Sequence, residues 1–194
     1  MVQTVLTVAA FALIGGGIKY IDEAFDEKIY SQKIATAIAA ILLVLWIGIS
    51  ILDTAAATIL LSIMLGVLFT GKIDNTVFGA STSAIVVSLA FLEKIIFLPL
   101  LALTFTGIID EKGNDYVDSH KTNKIIAFFF LHRFTMKVGL LTLSLAGVFA
   151  MQYLLAFLFF DISYDTVGFF SGESKKEMEL NKRSGVESPH SQAV

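Results

Sequence analysis

Apolar residues in this chain come in long blocks, and charged residues fall in short clusters between them. A membrane-spanning helix needs about 20 apolar residues, and several blocks reach that length. Val2–Ile21 is the first expected span, followed by the polar segment Asp22-Glu23-Ala24-Phe25-Asp26-Glu27-Lys28. Ile34–Leu52 and Thr54–Gly71 are the second and third, with only Asp53 between them, so their turn is tight. Val77–Ile109 is too long for one ordinary helix, and Glu93-Lys94 in its middle would be costly inside a bilayer. It divides into Val77–Leu92 and Ile95–Ile109, with Pro99 in the first turns of the latter, where proline is best tolerated.

A charged loop is expected from Asp110 to Lys124. The next block, Ile125–Phe160, again exceeds one span, and His132, Arg133 and Lys137 cluster in its first half. This pattern predicts an interfacial segment up to Lys137 and a sixth span over Val138–Phe160. The alternative is two spans here and seven in total. Ser171–Val194 is polar and rich in Ser, Glu and Lys; it is expected to be disordered apart from a short helix through Glu173–Asn181.

One motif recurs where apolar sequence meets charge. Phe69-Thr70-Gly71-Lys72-Ile73-Asp74 and Phe105-Thr106-Gly107-Ile108-Ile109-Asp110 differ at a single position, and Gly17-Ile18-Lys19-Tyr20-Ile21-Asp22 is a looser copy. The recurrence predicts repeated helical hairpins, with Asp22, Asp74 and Asp110 on one membrane face. Small residues four apart, Ser62, Gly66 and Thr70 on the third span and Ala35 and Ala39 on the second, predict close helix packing. Gly15-Gly16-Gly17 reads as a packing site in preference to an unwound point.

Composition supports the membrane reading. The chain is 56% hydrophobic and 16% charged, with a mean hydropathy of +0.78, whereas a globular domain carries about a quarter charged residues. The expected fold is an all-α polytopic membrane bundle of six or seven spans over residues 1–170, with a polar tail over 171–194. The expected location is multi-pass, in the plasma membrane of a prokaryote. The first block lacks the basic start and cleavage context of a signal peptide and reads as a retained span. The net charge of −3 and the absence of a long basic tract exclude nucleic acid as an expected partner. With no cysteine, disulfides and thiolate metal sites are excluded. Most basic residues fall on the motif side, which is therefore expected to be cytoplasmic. Six spans would put the tail, with Lys175, Lys176, Lys182 and Arg183, outside; seven would return it to the cytoplasm.

The candidate chemistry lies in the acids. Asp22 and Asp26 are four apart, and Asp110 and Glu111 open a second acidic cluster with Asp115 and Asp118. Oxygen ligands of this kind bind Mg²⁺, so Asp22, Asp26, Asp74, Asp110 and Glu111 are the candidate metal ligands. Arg133 and Lys137, four apart, are the candidate phosphate-binding residues. The mixture suits a cytoplasmic-face site that binds, or with Mg²⁺ converts, a lipid-linked phosphate, with membrane lipid as partner. Two alternatives stay open: a small transporter or cation channel, and a non-catalytic scaffold or subunit of an oligomeric membrane complex. Acids and bases that merely mark the water boundary would give the same pattern.

Overall fold

The structure, a computed structural model, describes residues 2–71, 76–92 and 95–184. Among them are eight helices and no strand: α1 Val2–Phe25, α2 Gln32–Leu52, α3 Thr54–Phe69, α4 Thr76–Leu92, α5 Phe97–Ser119, α6 Lys124–Leu131, α7 Phe134–Leu145 and α8 Met151–Ser184. Three are long and apolar enough to cross a membrane: α1, α2 and the Met151–Lys176 part of α8. The pair α6 and α7, bent by 61°, would be a fourth if it forms one broken span, and α3 is a shorter apolar helix.

Helix α3 is the centre of the bundle. Every residue from Ala56 to Met64 is buried, as expected of a helix that is apolar all round. The hydroxyls of Thr58 and Ser62 bond the carbonyls of Thr54 and Ile59, so they are buried without loss of a partner. The tight turn before α3 forms as expected at Asp53, whose carboxylate caps α3 by accepting from the Ala56 N–H at 3.0 Å. The Tyr153 hydroxyl, at the start of α8, bridges both oxygens of the same carboxylate at 2.9 and 2.8 Å.

Small residues set the packing. Ala35 and Ala39 are buried against Ile21 and Ala24, which joins α2 to α1 as an antiparallel pair. A side chain at Gly66 would press on the backbone of Gly107, so α3 and α5 approach closely. These two helices run parallel, because Thr58 near the start of α3 accepts from the Ile96 N–H just before α5. The glycine triplet is also a packing site: a Cβ at Gly15 would meet the Phe160 carbonyl, one at Gly16 would meet Ser163, and one at Gly17 would meet Leu42. Helices α1 and α8 are parallel as well. Thr4 bonds Gln152 at one end, Lys19 lies beside Tyr164 further along, and Lys175 pairs with Glu27 at the other end.

Four expectations need revision. First, Ile125–Phe160 does not divide at Lys137 into an interfacial segment and one span. It forms α6, α7 and the start of α8, and α7 ends at Leu145. Gly147, at φ 74°, makes the stop: its N–H bonds Ser144 O, and the Val148 N–H reaches back to Leu143 O. This paired closure is a Schellman cap, for which the left-handed position favours glycine. Second, α5 does not end at Ile109 but continues to Ser119, so Asp110, Glu111 and Asp115 lie on a helix and not in a loop. Third, the described parts of the motif copies adopt different structures. Gly71 ends α3 at φ 78°, whereas Gly107 lies inside α5, and Gly17 lies inside α1. Fourth, the helix expected through Glu173–Asn181 is present but is not separate: α8 runs on without a break through Ser184, with Ser171 buried.

Candidate functional site

A cavity of about 410 Å³ opens among α1, α2, α3, α4, α5, α6 and α8. Leu42, Leu43, Trp46, Ile63, Ile85 and Phe160 make its apolar walls. Lys19, Asp22, Asp110, Glu111, Arg133 and Tyr164 make its polar end, with Asn114 and Asp165 beside them. Phe130 and Leu131 of α6 contribute a further apolar edge. The cavity is thus amphipathic along its length, and its volume lies within the roughly 300–1,000 Å³ typical of small-molecule sites.

The polar end is assembled from separated segments. Asp110 is fully buried, and its carboxylate accepts from the backbone N–H groups of Thr135 at 3.0 Å and Met136 at 2.7 Å. It therefore caps α7 from a neighbouring helix, at the end where a negative charge is favoured. Arg133, immediately before α7, is in the left-handed region at φ 48°, ψ 46°. For a residue with a side chain this conformation costs on the order of 1–2 kcal/mol. Surrounding contacts hold it there: the guanidinium lies 3.5 Å from Glu111, 3.4 Å from Asp161 and 4.3 Å from the centre of the Tyr164 ring. Lys137 also pairs with Asp161 and bonds the His132 carbonyl. Buried ion pairs of this kind add little net stability, because desolvation of both charges offsets their attraction.

On α1, Lys19 pairs with Asp22 at 3.0 Å and Glu23 at 2.7 Å, and lies 5.4 Å from the Tyr164 ring centre. Tyr164 is thus flanked by two cations, one from α1 and one from the α6–α7 junction. His132 bonds Asp165 at 3.2 Å near the opening. Tyr30, in the loop after α1, stacks on Tyr20. Partial burial raises its phenol above the usual range, and the Glu23 carboxylate adds to the rise.

The candidate residues read from the sequence are partly brought together. Asp22, Asp110, Glu111 and Arg133 line one cavity, although they come from α1, α5 and the α6–α7 junction. Lys137 stands behind them on Asp161. Asp26 lies just past α1 and is exposed, with its N–H bonded to Asp22 O. Asp74 lies outside the described residues. Among the described residues no group of three His, Asp or Glu is arranged to hold a metal ion. Asp110 caps α7, and Glu111 pairs with Arg133. Sequence reasoning missed Asp161, Tyr164 and Asp165. The signal was available: Asp161 and Asp165 are four apart at the end of an apolar run, the same spacing noted for Asp22 and Asp26.

No protein-family model, curated protein or solved structure matches this chain.

Proposed function

We propose that this is an integral membrane protein that binds a lipid-like molecule in the cavity, with a phosphate-bearing headgroup at the polar end and the chain against the apolar walls. The amphipathic lining carries this reading: Arg133 and Lys19 offer donors for phosphate oxygens, while Leu43, Trp46 and Ile63 present hydrocarbon. Seven membrane crossings, with α3, α4 and α5 as short or partly polar spans and α6 and α7 as one broken span, are part of this reading, and the helix directions are compatible with it. Parallel α1 and α8 require an odd number of crossings and put Lys175 and Lys176 at the same end as Lys28. Basic residues gathered at that end make it the cytoplasmic face, so the headgroup site opens toward the cytoplasm.

One observation favours a transporter as the second reading. Asp161 lies ten residues into α8, about 15 Å along the helix axis, and charges at such depth commonly line a substrate path.

Trp46 is the sole tryptophan and lines the cavity, so it reports occupancy directly. Phospholipids with brominated acyl chains, titrated into the detergent-solubilised chain, are expected to quench Trp46 saturably. Ser81→Phe, which adds a ring at the cavity wall, is expected to abolish the saturable component. Quenching that rises linearly and is the same in both proteins would refute the cavity as a lipid site.

A further inference from the structure

We infer that the headgroup bound in the cavity carries a cationic amine. This rests on the reading of the cavity as a lipid site and narrows its ligand. Four carboxylates, Asp22, Asp110, Glu111 and Asp165, face two cations, Lys19 and Arg133, on the cavity wall, a formal balance of −2. The exposed charge is more one-sided still. Asp22 and Asp165 keep 34% and 48% of their side-chain surface, against 19% for Lys19 and 21% for Arg133.

Both cations are already engaged. Arg133 is held by Glu111, Asp161 and the Tyr164 ring, and Lys19 by Asp22 and Glu23, while on the acid side Asp22 shares Lys19 with Glu23 and Asp165 meets the His132 imidazole. A purely anionic headgroup would bring negative charge to a wall that is already negative, next to apolar surface where charges are weakly screened. An ammonium placed near Asp22 and Asp165 offsets that charge. A phosphate in the same headgroup then lies within the reach of Lys19 and Arg133, so one zwitterionic group uses both sets of side chains. Two sources present this chemistry: an aminophospholipid of the membrane and a soluble lipophilic amine.

The test uses the full chain in detergent and the Trp46 signal. Brominated-acyl phosphatidylethanolamine is compared with phosphatidylglycerol and phosphatidic acid carrying the same chains, and dodecylamine is added as competitor. Phosphatidylethanolamine is expected to bind about tenfold tighter than either anionic lipid. Removing both exposed acids with Asp22→Asn and Asp165→Asn is expected to close that gap. Displacement by dodecylamine supports the amine as the recognised group, and saturable quenching by chain-brominated dodecylamine titrated alone, without saturable quenching by phosphatidylethanolamine, assigns the soluble source. Saturable binding that favours phosphatidylglycerol or phosphatidic acid in the wild-type chain overturns the amine proposal while leaving the lipid site standing. Absence of saturable quenching by every probe overturns both.

Discussion

Asp110→Ala is the substitution whose consequence the structure defines most sharply. The carboxylate is buried and bonds two backbone N–H groups that α7 cannot satisfy internally. Truncation leaves both donors without an acceptor in a site closed to water. An unsatisfied buried donor costs about 1–3 kcal/mol, so the loss should be on the order of 2–5 kcal/mol. Asp110→Asn keeps one carbonyl oxygen for one donor but turns an amide N–H₂ toward the other. Its cost should be smaller, about 1.5–3 kcal/mol, the worth of a hydrogen bond to a charged group. Equilibrium unfolding in mixed micelles at rising SDS fraction measures both. Amide exchange localises the effect, and Thr135 and Met136 should lose protection before residues in the middle of α7. If Asp110→Ala lies within about 0.5 kcal/mol of wild type, the range of an ordinary surface substitution, or if Met136 exchange is unchanged, then Asp110 does not cap α7 and the polar end is built otherwise.

Gly15→Ala should separate α1 from α8, because the added Cβ meets the Phe160 backbone; a loss of about 1–3 kcal/mol is expected on the same SDS titration. Gly48→Ala, where a Cβ meets nothing within 4 Å, should instead stabilise α2 by about 0.5–1 kcal/mol. Tyr153→Phe removes the hydroxyl from the buried Asp53 carboxylate and should cost about 1.5–3 kcal/mol by thermal unfolding in detergent. In this cysteine-free chain, single cysteines at Lys28 and Glu173 should label from one side of the membrane and one at Ala150 from the other; labelling of Lys28 and Glu173 from opposite sides would refute the parallel arrangement of α1 and α8.

The helix positions up to α4 were legible because apolar blocks end at charges there. Asp53 and the stretch Asp22–Lys28 are boundaries in both hydropathy and structure. The length of α5 was not legible. Asp110-Glu111-Lys112-Gly113-Asn114 reads as a loop by polarity, yet it stays helical, with Asp110 joined to the α7 N-terminus and Phe130 pressed on Gly113. The Asp110 contacts come from sequence 25 and 26 residues away, and local pattern cannot see them. The end of α7 was missed for the opposite reason. Leu145-Ala146-Gly147-Val148-Phe149 is uniformly apolar, and only the left-handed turn at Gly147 breaks it. For the site, Asp22 near the end of α1 and Arg133 just before α7 stand at helix ends, as the charge pattern suggested, whereas Asp110 and Glu111 lie inside α5. The share of α8 was hidden because Asp161 looked like one more solvated end.

Both proposals depend on occupancy of the cavity by a lipid-like molecule. Native mass spectrometry of the chain extracted in mild detergent tests it most directly. One retained lipid mass per chain is expected in wild type, and its loss in Ser81→Phe. A wild-type chain that carries no lipid, or one that keeps the same lipid when the cavity is filled, would contradict it.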